Sequence, residues 1–224
     1  MFFISYKQCM KVIIIGFGKM GNSHFNSFLV SKRNYKIDIV DINKTIIEKK
    51  NVYFHLTIPK FKEYDLAIIS TGSRERLKVI RELLKYNKVK FLLLEKIVFS
   101  KSDEYYKAFK IFNKYKTKVM VNTWGQLLAK KLSKIINKKD KVNLNFINSE
   151  GNLVANLPHF LEFIKFFHSK NLKITIDQID KMINSKWKGY KELLGNIIVK
   201  NKYINANILT KKKLNSRDEN IIIE

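Results

Sequence analysis

The chain has 224 residues, enough for one large domain or two small ones, and its 46% hydrophobic and 28% charged composition is that of a globular protein. No apolar run is long enough to span a bilayer, and the apolar start at Phe2–Ile4 lacks the basic segment and cleavage site of a secretory signal. The formal net charge of +25 comes from 39 Lys and 5 Arg against 19 acidic residues. Lys, Asn and Ile share A/T-rich codons and nucleic-acid readers favour Arg, so the charge reads as genome composition on a solvated surface, and nucleic acid is not the expected partner.

In chain order, residues 1–9 read either as an extension ahead of Met10 or as a misassigned start. Cys9, the only cysteine, lies in it, which excludes an internal disulfide or a cysteine metal site and fits a reducing cytoplasm. Lys11–Gly16 is a β-branched run expected to be a central strand, followed by a helix over Gly21–Ser31. Lys36–Val40 is the second strand, closed by Asp41; Asn43 can cap a short helix through Lys50, and Val52–His55 is a third strand. Asp65–Ser70 is a buried strand, and Leu77, Ile80, Leu83 and Leu84 mark one face of a helix over Glu75–Tyr86. Phe91–Lys96, a helix opening at Ser102 with Asp103 and Glu104, and strand Lys118–Asn122 complete an alternation that reads as a parallel sheet with crossover helices.

The pattern then changes. Gly125–Asn137 reads as a linking helix, Val142–Asn148 as a half-exposed strand, and Leu157–His168 as a helix with Pro158 in its first turn. Strands are expected at Leu172–Ile176, Asn196–Lys200, Tyr203–Leu209 and Asn220–Ile223, with Lys211-Lys212-Lys213 and Asn215-Ser216 in a hairpin loop. The expected fold class is α/β: an N-terminal Rossmann dinucleotide-binding domain over 10–124, then a reduced α+β domain with an antiparallel sheet over 125–224.

Gly16-Phe17-Gly18-Lys19-Met20-Gly21 satisfies G-x-G-x-x-G between a buried strand and a helix, the context that gives the pattern meaning. The first glycine makes the turn, the second admits the pyrophosphate, and the third lets helix and strand pack. The anion then sits on the helix N-terminus. Asp41, 20 residues after Gly21, is placed to bond the adenosine ribose and repel a 2′-phosphate. NAD is therefore expected, with NADP the alternative because Lys44 is close. Ser70, Thr71 and Gly72, at the carboxyl end of the fourth strand, are expected beside the nicotinamide half. The plain alternatives are a ligand-free glycine turn, a helix-capping Asp41 and a capping turn at 70–73.

In combination, Gly16–His24, Ser70–Gly72 and Glu95-Lys96 resemble the Gfo/Idh/MocA oxidoreductases. That family joins a Rossmann domain to an α+β domain and uses NAD or NADP to oxidise or reduce sugars, cyclitols and related polyols, so a sugar, nucleotide-sugar or related polyol is the expected substrate. The resemblance implies a cytoplasmic NAD(P)-dependent oxidoreductase acting on CH–OH groups, a small sugar-type substrate, and a homo-oligomer formed through the C-terminal sheet. It implies no metal and no membrane partner. It makes Lys96 and His159 the catalytic residues, groups Glu95 with the cofactor contacts, and places Asn122, Trp124, Asn156, Lys96 and His159 at the substrate. His24 becomes structural support near the cofactor. In a helix's first turn His159 would be kept neutral by the dipole and serve as proton acceptor. The chain departs from the family at Ile97, where the family has Pro, at Ala155, where it has Asp, and at Trp124-Gly125-Gln126, which holds no Arg. Its second domain is also short. These departures support an alternative, a non-catalytic nucleotide-binding or scaffold protein that keeps the Rossmann half.

Overall fold

The computed structural model describes residues 9–31, 33–43, 49–135, 141–148, 153–168, 170–185, 189–210 and 219–223, and the chain divides into two compact units, Met1–Asn122 and Thr123–Glu224. The first unit runs β1 (Met10–Ile15), α1 (Lys19–Leu29), β2 (Tyr35–Val40), β3 (Val52–His55), β4 (Glu63–Ile69), α2 (Arg76–Tyr86), β5 (Lys88–Leu94), α3 (Ser102–Tyr115) and β6 (Lys118–Val121). All its strand pairs are parallel, in the order β3-β2-β1-β4-β5-β6. This is the Rossmann order, in which the chain reverses direction across the sheet between β1 and β4.

Both faces of that sheet are covered, which explains unbroken runs such as MKVIII. Ile13, Ile15, Ala67, Ile69, Leu92 and Leu94 pack with Ile80, Leu83 and Leu84 of α2. The alternate residues Val12, Ile14, Ile37, Ile39 and Ile68 pack with Phe25 of α1. β5 ends at Leu94, so Glu95 and Lys96 follow the strand rather than close it. The short helix expected after Asn43, and Lys44 with it, lie outside the described residues.

The second unit runs α4 (Gly125–Leu132), β7 (Val142–Asn148), α5 (Leu153–Phe167), β8 (Lys173–Asn184), β9 (Lys191–Lys200), β10 (Ile204–Thr210) and β11 (Glu219–Ile223). Its sheet has the order β11-β7-β10-β9-β8. It is mixed, not antiparallel: β7 and β10 pair in parallel, and the other pairs are antiparallel. The intervening α5 and the β8–β9 pair supply the long connection that a parallel pair needs. Phe160, Phe163, Ile164 and Phe167, spaced three and four apart, give α5 one apolar face, which packs on Leu144, Phe146, Val199, Ala206 and Ile208 of the sheet.

Further boundaries differ from expectation: α4 ends at Leu132 rather than Asn137, and β9 starts at Lys191 rather than Asn196. β8 runs on to Asn184 as an edge strand, with register shifts between Ile176 and Gln178 and between Ile179 and Lys181. α5 is already helical at Leu153, which puts Pro158 inside it rather than in its first turn. The Lys211–Ser216 segment lies outside the described residues. Among the described residues, no helix is long and apolar enough to cross a membrane.

Candidate functional site

The glycine turn is built as its spacing requires. Gly16 has φ 89°, in the left-handed region, and a Cβ there would lie 2.8 Å from the Thr71 nitrogen. A Cβ at Gly21 would lie 2.0 Å from the Gly16 oxygen, so α1 rests directly on the turn. Gly18 is different: a Cβ added there meets nothing within 4 Å. It caps α1 without a side-chain hydrogen bond, and the helix has no acidic residue in its first turn. The helix's leading amides therefore remain available for an anion. A cleft of about 570 Å³ opens there, lined by Phe17, Gly18, Lys19, Asn22, Ser23 and Asn26. Met20 is exposed beside it.

Asp41 ties β2 to this turn. Its Oδ2 accepts the Phe17 N–H at 2.5 Å and its Oδ1 accepts the Asn43 N–H at 2.8 Å. A carboxylate has about four acceptor sites, so these two bonds leave it capacity for a ribose hydroxyl. At the end of β4, Ser70 Oγ and Thr71 Oγ1 are buried without a hydrogen-bond partner among the described residues. An unsatisfied buried hydroxyl costs about 1–3 kcal/mol, so two together where Gly16 meets β4 suit a ligand that would satisfy them. The Gly72 carbonyl accepts the Glu75 N–H at 3.3 Å, the turn that leads into α2. Open space at Gly18, an uncapped helix N-terminus and two orphaned hydroxyls fit a dinucleotide.

Past β5, Glu95 gathers two residues from distant parts of the unit. Its Oε1 accepts His24 Nε2 at 2.6 Å and Asn122 Nδ2 at 2.7 Å. Burial pushes the carboxyl up, but the hydrogen bonds from His24 and Asn122, with the charges of His24 and Arg76, outweigh it and hold Glu95 below the usual range. Asn122, expected at the substrate, thus spends an amide hydrogen on Glu95, and His24 supports the same carboxylate. Lys96 is half-buried, and the Lys96–Ile97 peptide is cis. Behind this turn the Arg76 guanidinium, 3% exposed, donates to the main-chain oxygens of Thr71, Glu95, Ile97 and Val98.

In the second unit, the Trp124 ring stacks on His159 with centroids 4.8 Å apart and meets Phe160 edge-on. Trp124 therefore serves at least as packing against α5. Its backbone N–H donates to His159 Nδ1 at 3.2 Å. Nδ1 is thus the acceptor nitrogen, and in the neutral ring Nε2 carries the hydrogen. Two corrections follow for His159. It stands beyond the first turn of α5, and the first-turn amides of Val154 and Ala155 donate to the buried Glu192 carboxylate at 3.0 and 3.2 Å. The positive helix end is met by Glu192, not by His159. With hydrogen on Nε2, that nitrogen donates instead of accepting. Asn156 is inside the helix, three residues before His159 and on its side.

Sequence reading does not single out Arg76 or Glu192, because a charged residue in so charged a chain reads as solvated surface. The available signal for Arg76 was its rarity: it is one of 5 Arg among 44 basic residues.

The sequence matches no protein-family model and no curated protein. Solved structures do match. The WlbA dehydrogenase from Chromobacterium violaceum, in complex with NADH and UDP-GlcNAcA, superposes with a TM-score of 0.72 at 15% identity, over 97% of this chain and 72% of that one. An oxidoreductase from Bacillus cereus gives 0.70 at 15% identity, over 96% and 68%. A super-repressor mutant of Gal80p from Saccharomyces cerevisiae gives 0.69 at 12% identity, over 96% and 70%. The fold is that of Gfo/Idh/MocA-type proteins, and identities this low speak to fold alone.

Proposed function

We propose that the chain is an NAD-binding oxidoreductase of the Gfo/Idh/MocA type that moves a hydride to or from a carbon of a sugar, nucleotide-sugar or related polyol. The observations that carry this reading are the open space at Gly18, the uncapped N-terminus of α1 and, at the end of β4 against Gly16, the orphaned hydroxyls of Ser70 and Thr71. Gly16, Phe17, Gly18, Lys19, Met20 and Gly21 would hold the pyrophosphate, and Asp41 the adenosine ribose. Ser70, Thr71 and Gly72 would contact the nicotinamide half, with Glu95 behind them. The carboxylate of Asp41 favours NAD over NADP, whose 2′-phosphate it would repel. A nucleotide-sugar substrate is supported by the bound UDP-GlcNAcA of the Chromobacterium neighbour.

NAD, when bound, supplies hydride acceptance and donation at its nicotinamide ring. Lys96 moves the proton of the substrate hydroxyl. His159 holds a substrate oxygen by donating from Nε2, because accepting there would require the other tautomer and break the bond from Trp124. Trp124, Asn122 and Asn156 complete the substrate side, and the C-terminal sheet is the proposed oligomer contact.

The test follows NADH absorbance with a panel of UDP-hexuronates, hexoses and cyclitols. With a responsive substrate, Lys96→Met should lower kcat about 100-fold while leaving NADH affinity near normal, the size expected for a lost acid–base group. His159→Asn should raise KM more than it lowers kcat. Absence of NADH binding would end this reading, and intact turnover in both variants would remove the catalytic assignment.

A second reading has specific support. Ala155 replaces the acid the family carries, His159 is engaged by packing and by Trp124, and one neighbour is named for repression. NADH binding without turnover across the whole panel would favour a nucleotide-binding scaffold.

A further inference from the structure

Arg76 is the first residue of α2, and its side chain turns back beneath the carboxyl ends of β4 and β5. A guanidinium stays charged at any physiological pH, so its burial requires hydrogen-bond acceptors. It finds them on the main chain. Nη1 donates to Glu95 and Ile97 oxygens, each at 2.5 Å, and to the Val98 oxygen at 2.8 Å, while Nη2 donates to the Thr71 oxygen. Glu95 and Ile97 flank Lys96, so the cation grips the backbone on both sides of that residue. Thr71 carries one of the two orphaned hydroxyls at the end of β4. One planar fork therefore fastens the turn after β4 to the turn after β5.

We infer that Arg76 is a positioning residue, which sets Lys96 and Thr71 in register with each other through the backbone and touches no ligand itself. This rests on the reading above, in which the two turns serve a dinucleotide and its substrate. Errors of about 1 Å at reacting groups are costly, so a clamp on both turns bears directly on activity. Lysine cannot replace it, because an ammonium is a point charge without the fork that reaches both turns at once.

The experiment compares full-length wild type with Arg76→Lys and Arg76→Ala, the latter with and without guanidinium chloride at about 50 mM, far below the molar range that unfolds proteins. Three quantities are read: NADH affinity by fluorescence, the pH profile of Lys96 acylation by peptide mass spectrometry, and the thermal midpoint. Arg76→Lys should weaken NADH binding about tenfold, the effect of one lost hydrogen bond to a charged donor. Lys96 acylation at a fixed pH should change by about threefold or more, while Lys78 and Lys110 keep their wild-type rates, and added guanidinium should restore both properties to Arg76→Ala.

Wild-type NADH affinity and an unchanged Lys96 profile in both variants, whatever the thermal midpoint, would overturn the inference and leave Arg76 a stabilising residue only. If the wild type itself fails to bind NADH, the dinucleotide reading falls, and the Lys96 profile still decides whether Arg76 positions that turn. Should Arg76→Ala not fold, Arg76→Lys, which keeps charge and volume, carries both readouts.

Discussion

Burying a carboxylate normally favours its neutral form, yet Glu95, with a side chain 8% exposed, is held ionised by the donors His24 and Asn122. A folded-state pKa below the unfolded value stabilises the protein above the unfolded pKa, and that contribution is lost as pH falls through the folded one. Glu95→Gln should therefore cost about 1–3 kcal/mol at neutral pH, since a neutral amide replaces a charged acceptor for two donors. The difference from wild type in urea unfolding should shrink as pH drops below about 4.3, the unfolded carboxyl value. A gap that stays constant down to pH 3 would mean that the charge of Glu95 contributes nothing.

At the scale of the element, α5 begins where a carboxylate waits for it. Glu192, on β9 and 3% exposed, accepts from the Val154 and Ala155 amides and so satisfies donors of the helix's first turn. Glu192→Ala should destabilise the second unit by about 2 kcal/mol, and Glu192→Gln by less, as read by chemical unfolding. An Ala variant as stable as wild type would show that the long-range contact is dispensable. The sequence misleads at Pro158 because a preference for the first turn is local, while the first-turn amides are met from a strand more than thirty residues away. Strands buried on both faces, such as Lys11–Gly16 and Asp65–Ser70, were legible because burial writes itself as an unbroken apolar run. The second half of β8, Asp177–Asn184, was not, because an exposed edge strand with two register shifts obeys no period of two. The glycine turn and Asp41 were equally legible, being local. Arg76 acts on carbonyls, which any sequence possesses, and left no mark beyond its residue type.

For the whole molecule, each unit has its own core, and a net charge of +25 lies over both. Surface ion pairs among the described residues, such as Lys88–Glu63 with side chains 85% and 65% exposed, are solvent-screened and contribute little. Self-repulsion of the excess lysines opposes the compact state. Raising salt from about 0.01 M to about 0.1 M shortens the screening length from about 30 Å to about 10 Å and should raise the thermal midpoint by a few degrees. A fall in the midpoint would mean that attractive pairs outweigh repulsion.

Of the three glycines in the turn, two are demanded by the chain itself: a side chain at position 16 or 21 collides with backbone whatever the protein does. Position 18 has an extended backbone at φ −68° and ψ −163° and empty space before it, so folding asks for no glycine there. In the proposed function a bound pyrophosphate does. Selection for shape and selection for binding come apart at this one residue, and a lineage that had given up its dinucleotide would be free to fill position 18 while keeping its neighbours. On the proposed reading, the glycine that folding does not require is the one that serves the dinucleotide.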